Sequence, residues 1–143
     1  MKHILYIEDH EDTRELIAFV LTGLDYRVTT SASVEDGFKV ARENDFDLYL
    51  LDSWLADGSG IDLCRRLREY DQITPIMFLS GAAYEADEQT AMSCGAQSYV
   101  IKPADLDFLG REVARLIARN GKHRTPPEPE TATLLTATAL PAQ

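Results

Sequence analysis

Five short apolar runs alternate with five helical stripes along this chain, and that alternation leaves few folds open. Strands are predicted over about 3–8, 26–31, 47–52, 75–80 and 98–102, with helices near 12–24, 34–44, 60–70, 85–94 and 105–120. Regular βα alternation implies a parallel sheet covered by helices on both faces, joined by right-handed crossovers. Leu48 to Leu51 and Ile76 to Leu79 are unbroken apolar runs, as central parallel strands require. The last helix has the clearest stripe, Leu106, Leu109, Val113, Leu116 and Ile117. The first carries Leu16, Ile17, Val20, Leu21 and Leu24. Ser33 with Asp36 forms a weak capping-box signal for the second helix. Gly95 and Gly121 stand where helix C-caps favour glycine.

With 143 residues, one domain is expected. No apolar run approaches the ~20 residues of a membrane span, and Met1-Lys2-His3 runs straight into a strand without a signal-peptide core. The formal charge of −10, from 14 basic and 24 acidic residues, argues against direct nucleic-acid binding and against an anionic membrane surface. Cys64 and Cys94 have no metal-ligand spacing and read as two buried thiols, which suits a reducing cytoplasm. From Lys122 the composition turns to Pro, Thr and Ala. Residues 1–121 are therefore read as the folded domain and 122–143 as a disordered tail, too short to be an output domain.

The chemistry lies at strand ends. Glu8-Asp9 follows Ile4 to Ile7, Asp52 follows Leu48 to Leu51, and Lys102-Pro103 follows Ser98 to Ile101. A parallel sheet gathers the carboxyl ends of its strands along one edge, where ligands bind. Three carboxylates and one ammonium would then converge. Carboxylates so close repel each other unless a cation joins them, which points to a divalent metal with an anion, most simply Mg²⁺ with a phosphoryl group. The fourth strand ends at Ser80-Gly81-Ala82, a hydroxyl followed by small residues that let backbone approach an anion. Taken singly, each residue has a structural explanation. Asp52 could cap a helix or make a turn, and Glu8-Asp9 could be a charge pair favoured by a helix dipole. Lys102 could reach solvent from a strand end, and Tyr99 could be a half-buried edge aromatic.

Together, Glu8-Asp9, Asp52, Ser80, Tyr99 and Lys102-Pro103, in that order and at those distances, resemble the receiver domain of two-component response regulators over about residues 2–120. The resemblance implies a flavodoxin-like five-stranded parallel sheet, order 2-1-3-4-5, with five helices. It makes Asp52 the phosphoacceptor, a nucleophile already ionised at neutral pH. It assigns Mg²⁺ to Glu8, Asp9, Asp52 and the backbone carbonyl of Trp54, with Asp9 as a direct ligand and Glu8 direct or through water. It implies a cis bond before Pro103 that aims Lys102 at Asp52. Ser80 would bond the phosphoryl group, and Tyr99 would turn inward in response.

The donor implied is a phosphohistidine of a sensor histidine kinase or phosphotransfer protein. The output would be a protein-binding surface on the fourth helix, fifth strand and fifth helix, a face also open to dimer formation. The chain would be a cytoplasmic stand-alone regulator that does no chemistry beyond its own phosphorylation and dephosphorylation. Ala56 departs from the family, which commonly has proline there, and should loosen the loop after Asp52 slightly. Gly58 is expected at positive φ and Ser59 as a helix cap. Trp54 is expected to shield an acyl phosphate from water. Three rivals remain. An aspartyl-phosphate hydrolase would lack its general acid, since Trp54 holds that position. A pseudo-receiver would bind partners without phosphorylation. A flavodoxin-like cofactor binder would lack a phosphate cradle.

Overall fold

In the computed structural model, which describes residues 1–81 and 85–119, five strands form one parallel sheet. They are β1 (His3–Ile7), β2 (Arg27–Ser31), β3 (Leu48–Leu51), β4 (Ile76–Ser80) and β5 (Ser98–Ile101), in the order β2-β1-β3-β4-β5. The helices are α1 (Glu11–Gly23), α2 (Val34–Glu43), α3 (Gly60–Tyr70), α4 (Glu85–Ser93) and α5 (Leu106–Arg119). Every element predicted from periodicity is present, with its ends displaced by a single residue at most. A small antiparallel ladder pairs Trp54 with Ser59 and Leu55 with Gly58, directly after β3. Ala82, Gly121 and the segment 122–143 lie outside the described residues.

Alternate residues of the strands feed two cores. Ile4, Tyr6, Leu48, Leu50, Met77 and Leu79 pack under α1 and α5. Leu5, Ile7, Tyr49, Leu51, Ile76 and Phe78 pack under α2, α3 and α4. The two-residue side-chain period of a strand produces both layers from one run of apolar residues. The stripe on α1 is narrower than the sequence suggests. Ile17 and Leu21 are buried, whereas Leu16 and Leu24 are about half exposed, at 53% and 48%. Leu24 stays exposed because α1 leaves a groove against α5, lined by Phe19, Leu24, Leu106 and Gly110, and Leu24 sits on its wall. On α5, Leu109, Val113, Leu116 and Ile117 are buried, while Leu106 faces the same groove.

Caps explain where the helices start and stop. Ser59 Oγ accepts the Asp62 amide at 3.1 Å and opens α3. Ser33 Oγ accepts the Asp36 amide at 3.1 Å and opens α2, but the return arm of the capping box is diverted, because the Asp36 carboxylate takes the Ser31 hydroxyl at 2.7 Å. Gly95 ends α4 at φ +112°, a conformation that favours glycine. Gly58 has φ +158°, positive but at the border of extended backbone. At the opposite edge from the strand ends, the Arg68 guanidinium donates to the carbonyls of Gly95, Asp71 and Thr74 and to Gln97 Oε1, tying the end of α3 to the entry of β5. Both cysteines are free thiols. Cys64 is buried and Cys94 half-buried. Among the described residues, no helix is long and apolar enough to cross a membrane.

Candidate phosphorylation site

The sheet register brings the predicted residues together. Ile7 pairs with Leu51, so Glu8 and Asp52 leave adjacent strands side by side, with the Asp52 amide donating to Ile7 O at 3.1 Å. Ser80 pairs with Ile101, and the Lys102 amide donates to Ser80 O at 2.7 Å. The Lys102–Pro103 peptide bond is cis. Carboxylate oxygens of Glu8, Asp9 and Asp52 lie within 4.8 Å of one another. Asp9 is exposed, whereas Glu8 and Asp52 are buried.

Lys102 divides its charge unequally. Its Nζ donates to Glu8 Oε1 at 2.8 Å and lies 3.7 Å from Asp52 Oδ1. The expected approach of Lys102 to Asp52 is present, and Glu8, which the sequence reading did not pair with Lys102, is the nearer partner. Glu8 is the better host because further donors converge on it. The Tyr6 hydroxyl reaches Oε1 at 3.1 Å, and the His10 amide reaches Oε2 at 3.2 Å. Asp52 Oδ1 accepts the Ser53 amide at 2.8 Å.

These contacts fix the charge states in the absence of metal. Burial pushes the Asp52 carboxyl up, and the Glu8 charge beside it pushes it further, to about 6, against a smaller opposing pull from Lys102. Burial also works against the Glu8 charge, but the bonds from Lys102 and the His10 amide outweigh it and hold Glu8 below its ordinary range. As pH rises, Glu8 is ionised first and Asp52 keeps its proton up to about pH 6, so both are charged at neutrality. Burial and Glu8 likewise push the Tyr6 hydroxyl far up, so it remains a donor.

Residues that the sequence did not single out complete the site. Tyr6 stands two residues before Glu8 on the same face of β1, so strand alternation was the available signal. Arg14 donates from α1 to the Glu8 carbonyl at 2.9 Å. Gly60 is pressed against the backbone of Asp52, where a Cβ would overlap the carbonyl oxygen. No pattern in the sequence announces either contact. Trp54 stands 66% exposed on the rim of a groove of about 670 Å³ between α3 and α4.

Residues 4–114 match the response regulator receiver domain. The chain belongs to that family. It is 35% identical over 125 residues to the transcriptional regulatory protein AfsQ1 of Streptomyces coelicolor, covering 87% of this chain and 55% of that protein. This receiver domain thus spans about half the length of the curated relatives it matches. Among solved structures, it resembles the non-phosphorylated HemR receiver domain of Leptospira biflexa, with TM-score 0.78 and 28% identity over 89% of this chain and 98% of that one. It also resembles the response regulator TrrA of Thermotoga maritima, solved in complex with Mg²⁺ and BeF, with TM-score 0.75 and 26% identity over 81% and 99% of the two chains. Ser80 is completely buried at the end of β4. Tyr99 is half-buried and stacked on Phe78, with ring centroids 5.8 Å apart.

Proposed function

We propose that this receiver domain accepts a phosphoryl group on Asp52 from the phosphohistidine of a sensor kinase or phosphotransfer protein, and that the modification switches a protein-binding surface. The observation that carries this reading is the cluster of three carboxylates within 4.8 Å, with the Lys102 ammonium 3.7 Å from the Asp52 oxygen. An Asp52 oxygen attacks phosphorus in line, the phosphorus–nitrogen bond of the donor breaks, and its electron pair stays on the imidazole, which takes up a proton.

The donor set is hard, anionic and partly solvent-facing, as Mg²⁺ requires. Asp9, Asp52 and the Trp54 carbonyl would hold the ion directly. Both Glu8 oxygens already accept hydrogen bonds, which suits contact through water. When bound, the ion offsets charge on the phosphoryl oxygens and on the attacking carboxylate. Lys102 then shares its ammonium with the phosphoryl oxygens. Ser80 donates its hydroxyl to one of them. Tyr99 follows, altering the face of α4, β5 and α5, where Met92, Ile101 and Phe108 are exposed. The coupling favours one of two states by the difference in phosphoryl contacts between them. A protein partner, or a second copy of the chain, fits this face better than nucleic acid, given the charge of −10. The chemistry is confined to the domain's own phosphorylation and dephosphorylation.

Acetyl phosphate labelling with Mg²⁺ tests the proposal. A base-labile adduct is expected on the parent and not on Asp52→Asn. Continuous release of phosphate from varied esters would instead indicate a hydrolase, and a failure to bind Mg²⁺ would indicate a pseudo-receiver. Trp54, next to the site though largely exposed, is expected to slow the approach of water to the acyl phosphate. Trp54→Ala should shorten the lifetime of the label several-fold. An unchanged decay rate would remove that role.

A further inference from the structure

The loop after the phosphoacceptor lacks the proline common in the family, with Ala56 in its place, yet the structure ties its tip firmly. Asp57 leaves the loop and accepts two amides at the start of α2, Val34 N at 2.8 Å and Glu35 N at 3.1 Å. Those amides are among the first of the helix, which have no partner within it. Beside this bond, Gly58 lies against Val34, whose Cγ2 is 3.3 Å from where a Cβ would stand. Arg66 of α3 donates to Glu35 Oε2 at 2.7 Å, so α3 holds the same helix start from the other side. The loop is thereby strapped between α2 and α3, with Leu55 buried beneath it.

We propose that Asp57 is a positioning residue for the phosphorylation site: its grip on α2 fixes the loop that runs from Asp52 through the Trp54 carbonyl, and so sets the ligand geometry for Mg²⁺. This rests on the functional reading above. A proline restrains such a loop by fixing its own φ. Asp57 restrains it by an external bond, one position later. The bond also holds the Asp57 carboxyl below its ordinary range, through the Val34 amide first and the Glu35 amide second. Neither Ala56 nor Asp57 has a positive φ, the backbone conformation that would bar proline, and position 56 is where the family commonly carries it. The two devices should therefore substitute for one another.

Mg²⁺ titration of the phosphate-free protein separates positioning from simple helix capping. Trp54 is the single tryptophan and sits in the loop, so its fluorescence reports binding, with calorimetry as a second readout. Asp57→Ala is expected to raise the Mg²⁺ dissociation constant about tenfold, as loss of an outer partner of a metal site does. Adding Ala56→Pro to that variant should recover most of the affinity, and Ala56→Pro alone should bind at least as tightly as the parent. If Asp57→Ala lowers the urea midpoint but leaves the Mg²⁺ constant unchanged, Asp57 is only a cap for α2 and the proposal is overturned. If affinity falls and Ala56→Pro recovers none of it, the loss belongs to α2 rather than to the loop, which also overturns it. A parent that shows no Mg²⁺ response would overturn the functional reading itself, an outcome distinct from both.

Discussion

Asp52→Asn is expected to abolish phosphoryl labelling and also to stabilise the metal-free protein at pH 7, by on the order of 2 kcal/mol. Labelling is lost because an amide is no nucleophile toward phosphorus. The gain in stability follows from the titration of the native carboxyl. In the fold its pKa is raised from an ordinary 3.8 to about 6, by burial first and by Glu8 second. The folded state therefore holds the proton over a pH range in which the unfolded chain has released it. Stability from this group falls as pH rises from about 3.8 to about 6, and the penalty is fully present at neutrality. Asparagine removes that penalty while keeping an oxygen for the Ser53 amide. Glu8 works in the opposite sense. Its pKa is lowered, so its stabilisation is present at neutral pH and fades as acid protonates it. Urea denaturation of both proteins without metal, between pH 4 and 7.5, should show the variant ahead at pH 7 and the difference shrinking toward pH 4. Equal midpoints at pH 7 would contradict the charge assignment. Saturating Mg²⁺ should narrow the gap, because binding stabilises the parent by mass action.

Gly60→Ala carries the second large effect, about 3 kcal/mol of destabilisation or more. The reason is steric and not conformational. A Cβ at this first residue of α3 would overlap the Asp52 carbonyl oxygen and crowd Phe78 at 3.0 Å. The neighbour is backbone at the end of a central strand, which has nowhere to retreat. Gly60 N also donates to Ser53 O at 2.8 Å, so displacing the helix start disturbs the loop beside Asp52. The thermal midpoint should drop and the rate of acetyl phosphate labelling should fall with it, measured below the new midpoint. Gly23, with open space around its Cβ position, serves as the control, and Gly23→Ala should change neither. A Gly60→Ala protein with parental stability and labelling would refute the close approach.

The number, kind and order of elements were legible because they depend on local periodicity. Apolar runs bounded by acidic or small residues marked β1, β3 and β4, and four-residue spacing marked α1 and α5. The convergence of Glu8, Asp9, Asp52 and Lys102 followed from one topological rule, that parallel strands share an edge. What periodicity cannot report is which of two neighbouring carboxylates an ammonium prefers. Lys102 chooses Glu8 over Asp52 by about an ångström, and that choice depends on Tyr6 and the His10 amide already facing Glu8.

The same limit hid Asp57 and Gly60. Asp57 reads locally as a turn residue, and its partners lie 23 and 22 positions earlier in the chain. Gly60 reads only as the first residue of the third helix, and only the docking of α3 against the end of β3 shows that any side chain there would strike backbone. The amino-acid sequence by itself determined the sheet, its helices and the residues that gather at its edge, since burial pattern and chain direction decide these. Tertiary structure alone decided how the gathered charges pair and what holds their loop in place, since both depend on ångström-scale distances between segments far apart in the chain.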